Sequence, residues 1–394
     1  MGHRFLCGVK PCPIVMRAKA LARIEDAVRG MDLSGSSPPS VFVGEHGYPK
    51  VLAGPLVPPV RSPEAELMER PDLWLNRSID EILALRFSLV RTKKWIPVES
   101  ASFPDRELHE TQTLALSDSP LVSEATLLKR PTFTTVFSDR TLPIGPSAPL
   151  RTFHLEDNPH VPKVVDRITS DTDLNAVTGV ADLFYEGIRQ EHITRLLSVG
   201  VLGQSKRRRL VPTKWSITAI DDIMGKRLHR EVLRYPWIND FMVGVDHALG
   251  NTVAFLFLPS AWQFEALESW LGGLAPHIIS DHELARGRKD YASNVVGAYY
   301  ATRLPALQHL TGIRKQAGVI VFLEVDPQQW VPLGVWRFRE IAKRALSSPT
   351  KRFTDLSEAT AELGRHLRVP VERWLEKSAI LAEFRHQTKL TDFF

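Results

Sequence analysis

The sequence predicts an α+β protein: helices packed around a small, largely antiparallel sheet, followed by a disordered C-terminal peptide tail. Three observations lead there. Helical apolar periodicity recurs through the second half, a hairpin signal joins two apolar runs, and the regular strand–helix alternation that builds a parallel sheet is missing. With 394 residues, 43% hydrophobic and 24% charged, the chain is globular in composition. Apolar runs such as 253–258 are too short to cross a bilayer.

Helix signals open at residues 17–29 and 78–90. In the second, Ser78 is placed to cap, and Ile79, Ile82, Leu83 and Phe87 supply the apolar face. Residues 34–40 and 55–63 read as loops from their Ser, Gly and Pro content. Residues 132–137 alternate like a strand. Residues 141–149, with three prolines and a glycine, mark a boundary, and 154–162 continue it in extended form. Helices are expected at 171–190, 192–199 and 217–234. In the last, Ser216 or Thr218 stands near the start and Asp221 and Asp222 fall in the first turns, where acids suit the helix dipole. Residues 241–247 and 252–258 flank Ala248-Leu249-Gly250-Asn251 as a hairpin, and 318–325 form a third apolar strand. Further helices are expected at 263–271, 289–310, 335–346 and 355–367. Three regions follow: a proline-rich 1–150, a better ordered 151–380, and a tail, 381–394. Neither an internal repeat nor a glycine-rich phosphate loop is present in the sequence.

The net charge of +5 is modest, but residues 203–234 hold nine cations (Lys206, Arg207, Arg208, Arg209, Lys214, Lys226, Arg227, Arg230 and Arg234) against three acids. Clustering of this kind raises the local potential and attracts polyanions; a solvated loop and helix face is the plainer reading. Cys7 and Cys12 are the only cysteines, which speaks against a disulfide scaffold and for a reducing, cytoplasmic location. Lys10, Pro11 and Pro13 interrupt any apolar core of a signal peptide.

The last eight residues are the sharpest signal. Gln387 is followed by Leu390 and then by Phe393 and Phe394, a spacing of three that lines side chains up on one side of a 3₁₀ turn. Two adjacent phenylalanines at a chain end left in water forgo roughly 1.5–3 kcal/mol each, so such a tail either docks onto a partner or folds back on its own core. The segment resembles the peptide by which replication and repair proteins bind the DNA sliding clamp (PCNA). The resemblance implies that Leu390, Phe393 and Phe394 fill the clamp's hydrophobic pocket and Gln387 its polar one.

The body of the chain resembles the archaeal Nre family of DNA-repair proteins over nearly its whole length. The resemblance rests on Leu6-Cys7-Gly8 with Cys12-Pro13-Ile14, Phe42-Val43-Gly44 with Gly47-Tyr48-Pro49, Gly145-Pro146-Ser147-Ala148-Pro149-Leu150, and the run from Leu210 through Pro212-Thr213-Lys214-Trp215 to Asp222. It continues in Gly287-Arg288-Lys289-Asp290-Tyr291-Ala292, Gly297-Ala298-Tyr299-Tyr300-Ala301 and Pro332-Leu333-Gly334-Val335-Trp336. It implies DNA-damage repair alongside excision-repair machinery, with recruitment through the clamp peptide. Members of the family often carry an earlier cysteine pair that completes a four-cysteine zinc site. Here Cys7 and Cys12 match only the second pair, with His3 the sole nearby third candidate. A structural zinc site needs four ligands, so zinc is expected only if this incomplete set is completed, and two ordinary free cysteines are the alternative.

The candidate chemical site runs from Lys206 to Asp222. Lys206, Arg207, Arg208 and Arg209 form a cationic block, and Thr213, Lys214, Ser216 and Thr218 offer hydroxyls and an ammonium where a loop enters a helix, a setting that favours phosphate. Asp221 and Asp222 are the weak candidates for catalysis through a divalent ion. Adjacent helical residues diverge by about 100°, so help would be needed from Asp281-His282-Glu283, Glu45-His46 or Glu265. Arg286, Arg288, Lys289 and Tyr291 are a second candidate for backbone contact. Trp215, Trp262, Trp270, Trp330 and Trp336 are candidates for base stacking, with Trp262 and Trp270 better read as core. The expected function is a repair factor held at DNA by the sliding clamp, with DNA and excision-repair proteins as partners and no membrane. A metal-dependent phosphoester hydrolase is the alternative, and the sequence does not decide whether the chain is an enzyme.

Overall fold

Two six-stranded sheets organise the chain. The computed structural model describes residues 15, 22, 31–132, 141–271, 277–326 and 333–386. One compact unit comprises the described residues of Met1–Met224 with Val331–Gly334, the other those of Gly225–Trp330 with Val335–Phe394. The sheets are larger than the small one expected, yet each is antiparallel at four of its five junctions.

In the first unit the strands are β1 (Asp32–Ser37), β2 (Val41–Val43), β3 (Lys50–Val57), β4 (Val90–Pro97), β5 (Leu121–Leu127) and β6 (Ser147–Leu155), in spatial order β1-β5-β6-β4-β3-β2. Only β4 and β6 run parallel. Residues 34–37 and 55–57, expected in loops, are strand, and the proposed boundary near 141–149 leads into β6, a central strand. Ser, Gly and Pro disguise these strands in sequence, but pairing across the sheet overrides local propensity. Gly35 shows why small residues are used: a Cβ there would lie 2.4 Å from the Pro58 carbonyl oxygen.

Helix α1 (Ile79–Phe87) begins as expected at Ser78, whose hydroxyl accepts the Glu81 N–H while the Glu81 carboxylate accepts the Ser78 N–H, a reciprocal capping box. Helix α2 (Arg106–Leu116) supplies Leu114 to a core with Leu33, Val90, Ala125 and Phe153. Asp171, Asp173 and Leu174 form a turn rather than helix, because the Asp171 carboxylate accepts the N–H groups of the two later residues. The expected single helix at 171–190 is therefore α4 (Ala176–Tyr185), capped by Asn175, preceded by α3 (Lys163–Ser170) and followed after Gly187 by α5 (Gln190–Ser198).

Helix α6 (Thr213–Val232) starts four residues earlier than expected, with the Trp215 and Ser216 N–H groups bonded to the Pro212 carbonyl. Asp221 and Asp222 thus sit in its third turn, beyond the free N–H groups that favour acids at a helix start.

The second unit holds β7 (Phe241–Ala248), β8 (Asn251–Leu258), β9 (Gln263–Trp270), β10 (Ile278–Glu283), β11 (Gly318–Val325) and β12 (Lys351–Phe353), ordered β10-β9-β11-β8-β7-β12. The hairpin is as expected: Leu249 and Gly250 both take positive φ, 51° and 72°, between β7 and β8. Residues 263–270 are a strand, not the expected helix. Glu, Ala and Leu favour helix locally, but antiparallel pairing to β10 and parallel pairing to β11 settle the segment as an inner strand. Strands β8 and β11 are buried at every position because both faces of the sheet are covered. One side meets α9 (Leu356–Gly364), α10 (Val371–Lys377) and α11 (Ala379–His386) through Leu363, Trp374 and Leu381. The other meets α7 (Gly297–Gly312) and α8 (Trp336–Ser347), with Phe264 against Tyr299 and Phe257 against His309.

Helix α7 begins eight residues later than expected. Residues 293–295 turn their N–H groups onto the buried Asp281 carboxylate at 3.3, 2.8 and 2.7 Å, and Val296 takes φ 54°, a conformation incompatible with helix. Of the remaining expectations, all but one residue of the helix at 17–29, most of the strand at 132–137 and the tail 387–394 lie outside the described residues; Thr132 forms an isolated bridge with Ser147. Among the described residues no helix is long and apolar enough to cross a membrane.

Candidate nucleic-acid interface

The cationic block 206–209 lies in the first unit, along a 3₁₀ turn at Val98–Ser102 that directly follows β4. It is fastened by Ser102, whose hydroxyl donates to the carbonyls of Ser205 and Arg208, and by the Leu210 N–H on the Val98 carbonyl. The four cations then divide. Arg208 turns inward: its guanidinium donates to the carbonyls of Gly203, Thr169 and Asp171 at 2.8, 2.7 and 3.1 Å, closing the end of α3. Burial holds Arg208 below the usual guanidinium range, with Asp171 opposing. Among the described residues Arg209 donates to the nearby carbonyls of Lys206 and Arg208. Lys206, Arg207 and Arg209 are exposed, so of the block 206–209 these three face solvent.

The start of α6 is occupied by structural bonds. Thr213 Oγ1 accepts the Val43 N–H at 2.9 Å and lies 3.2 Å from Ser198 Oγ, tying helix to strand β2. Ser216 is fully buried. Lys214 Nζ lies 2.9 Å from Glu45 Oε1 in the β2–β3 turn. That turn brings up an aromatic surface that the sequence reading captured only through Trp215. Tyr48, Trp95 and Trp215 are 50%, 48% and 44% exposed. Tyr48 and Trp215 have ring centroids 5.3 Å apart, and the Trp95 ring lies against Gly47, where a Cβ would come within 2.8 Å of it. A tryptophan in Lys93-Lys94-Trp95 beside a strand-like alternation was the available sign.

The carboxylates proposed for metal chemistry each have another partner. Asp221 is buried and accepts a hydrogen bond from Gln190. Glu45 pairs with Lys214. Within the second unit, Asp281 anchors residues 293–295 and pairs with Arg288 at 3.1 Å. Glu283 accepts from Trp262 Nε1 and Arg303 Nε, and Glu265 receives Ser378 Oγ and the N–H groups of Ala379 and Ile380. Among the described residues no three His, Cys, Asp or Glu side chains come together as a metal site.

Of the other stacking candidates, Trp262 and Trp336 are buried and Trp270 is half-buried, while Trp330 lies outside the described residues. In the second backbone-contact candidate, Arg288 is tied to Asp281 and to the carbonyls of His282, Asp290 and Tyr291, and Tyr291 packs on Tyr300. Cys7, Cys12, Gln387, Leu390, Phe393 and Phe394 lie outside the described residues.

Two family models match the chain: "Archaeal Nre, N-terminal" over residues 6–274 and "Archaeal Nre, C-terminal" over residues 283–393. Among curated proteins, "DNA repair protein NreB" of Archaeoglobus fulgidus is 34% identical over 391 residues, 98% of this chain and 97% of the relative. "DNA repair protein NreA" of the same organism is 34% identical over 396 residues, covering 99% and 97%. "DNA repair protein NreA" of Haloferax volcanii is 32% identical over 384 residues, covering 94% and 91%. No solved structure matches the chain.

Proposed function

The chain belongs to the archaeal Nre family, and from that premise we propose that it is a DNA-damage repair factor, recruited to DNA through the sliding clamp and acting alongside nucleotide-excision-repair machinery. The names of its relatives support the repair role. The observation that carries DNA contact is the exposure of Lys206 and Arg207 in the same unit as the exposed rings of Tyr48, Trp95 and Trp215. Cations neutralise phosphates, and open aromatic faces stack on bases. Recruitment rests on Gln387, Leu390, Phe393 and Phe394. A tether of this kind makes a weak DNA contact effective by raising local concentration.

Calorimetric titration of the full chain against its host's sliding clamp, beside a variant ending at His386, tests recruitment. Binding is expected for the full chain and lost in the shortened one; equal affinity of the two would reject the tail as the tether. Charge reversal at Lys206 and Arg207 tests DNA contact. It is expected to weaken binding and flatten its salt dependence, and an unchanged slope would reject the segment. No observation favours the hydrolase alternative: Asp221, Glu45, Asp281, Glu283 and Glu265 each bond to another protein group.

A further inference from the structure

Phe103 is 85% exposed, more than any other large apolar side chain among the described residues; Leu128 follows at 58%. The backbone beneath it is fixed on both sides. The Phe103 N–H bonds to the Ser100 carbonyl at 3.1 Å, closing the 3₁₀ turn Val98–Ser102, and Gln112 Nε2 donates to the Ala101 carbonyl at 3.1 Å. Pro104 follows and keeps the residue before it out of the helical region, so Phe103 has φ −138° and ψ 73°. The Asp105 carboxylate then accepts the Leu108 N–H at 3.0 Å and caps α2. The ring is therefore held out in water by an anchored turn.

The same turn fastens the cationic block. Ser102, the chain neighbour of Phe103, donates its hydroxyl to the carbonyls of Ser205 and Arg208 at 2.7 and 3.2 Å. Through those bonds the Cα atoms of Lys206 and Arg209 lie no more than about 12 Å from that of Phe103, a span of about three or four nucleotides at duplex spacing. Residues 94–107 and 206–209 together carry six cations against three acids. Two of those acids, Asp105 and Glu107, share the Lys94 ammonium at 2.7 and 2.9 Å, which leaves Glu99 as the exposed acid that opposes the block.

A protein partner would require a contiguous apolar patch, whereas this ring stands between Ser102 and Pro104 with charged side chains around it. A lone aromatic ring beside cations suits unpaired nucleotides, each of which offers its own base face next to its own phosphate. A duplex keeps those faces stacked on one another, and entering it costs unstacking. We propose that Phe103 stacks on an unpaired base of single-stranded DNA whose backbone meets Lys206, Arg207 and Arg209. The proposal rests on the DNA-binding reading above and adds to it a contact residue and the type of strand.

The test uses the full chain and the variants Phe103→Leu and Phe103→Trp, each checked for folding by circular dichroism. Fluorescence anisotropy with a labelled single-stranded oligonucleotide and the matching duplex is read over a range of salt. Phe103→Leu keeps an apolar side chain but loses the ring, and it is expected to weaken single-strand binding about tenfold. Its salt slope is expected to stay at the parent value, because no cation is removed, and its duplex binding to be unchanged. Phe103→Trp is expected to bind single strands at least as well as the parent. A second readout follows a single-stranded oligonucleotide containing 2-aminopurine, whose fluorescence reports stacking: the change on binding is expected with the parent and Phe103→Trp and lost with Phe103→Leu. Unchanged single-strand affinity in Phe103→Leu overturns the proposal, as does an equal loss on duplex. A Phe103→Leu chain that binds DNA normally but loses the sliding clamp gives the ring to a protein partner and overturns it likewise. If charge reversal at Lys206 and Arg207 still abolishes DNA binding in those cases, the broader reading survives. Failure of the full chain to bind either form of DNA at low salt removes both.

Discussion

Arg303 Nε donates to Glu283 Oε1 across 2.7 Å, and the two side chains are only 4% and 2% exposed. Glu283 ends β10 and Arg303 lies in α7, so the pair joins sheet to helix inside the second unit, with Trp262 Nε1 donating to the same carboxylate at 3.0 Å. Removing one partner strands a buried charge. Arg303→Met is expected to cost about 3–5 kcal/mol of unfolding free energy, and pairing it with Glu283→Leu to recover much of that loss. Urea denaturation of the single and double variants measures this; a double variant no more stable than the single would contradict it.

His192 lies in α5, is 3% exposed, and has a buried Nε2 without a partner among the described residues. Burial, with Arg195 and Arg189 nearby, pushes its pKa down to about 2. The unfolded chain therefore binds this proton first. Its contribution is fully present above the unfolded value of about 6.5 and is lost as pH falls toward the folded value, at about 1.4 kcal/mol per pH unit. His192→Gln is expected to flatten the loss of stability between pH 6 and pH 4 by one proton's slope, read from urea midpoints at each pH.

Leu249 holds φ 51° in the β7–β8 turn, a left-handed conformation that costs a β-carbon residue about 1–2 kcal/mol. Leu249→Asn relieves part of that strain, and a rise in melting temperature of about 1 °C is expected from roughly 1 kcal/mol gained in a protein of this size. Scanning calorimetry showing no rise would mean that Leu249 contributes packing that outweighs the strain.

Neighbouring arginines of the basic segment should separate by function. Arg208→Ala removes three charge-assisted bonds to carbonyls and is expected to lower stability by about 1.5–3 kcal/mol while leaving the salt dependence of DNA binding unchanged. Arg207→Ala is expected to do the reverse, with stability within about 0.5 kcal/mol of the parent. Denaturation and salt-dependent anisotropy on the same samples check both.

Where local chemistry is self-sufficient, the sequence was a good guide. The cap at Ser78, the Leu249-Gly250 hairpin turn and the apolar run of β11 are each specified by residues adjacent in the chain. Segment 263–270 reads as helix because Glu265 and Glu268 favour helix locally, and only β10 and β11 turn it into a strand. The first sheet was hidden for the same reason, its strands carrying Gly35, Pro55 and Pro149.

The sequence by itself determined the α+β class, the family and the presence of a cationic segment, because these depend on composition, periodicity and motif. Only the tertiary structure decided which of those cations are available. Arg208 is consumed by carbonyls from a segment more than thirty residues earlier, while Arg91, in a strand that reads as unremarkable in sequence, meets no acid among the described residues and lies on the Phe42 ring. Ion pairing and burial depend on what the fold brings within a few ångströms, and linear order does not carry that information.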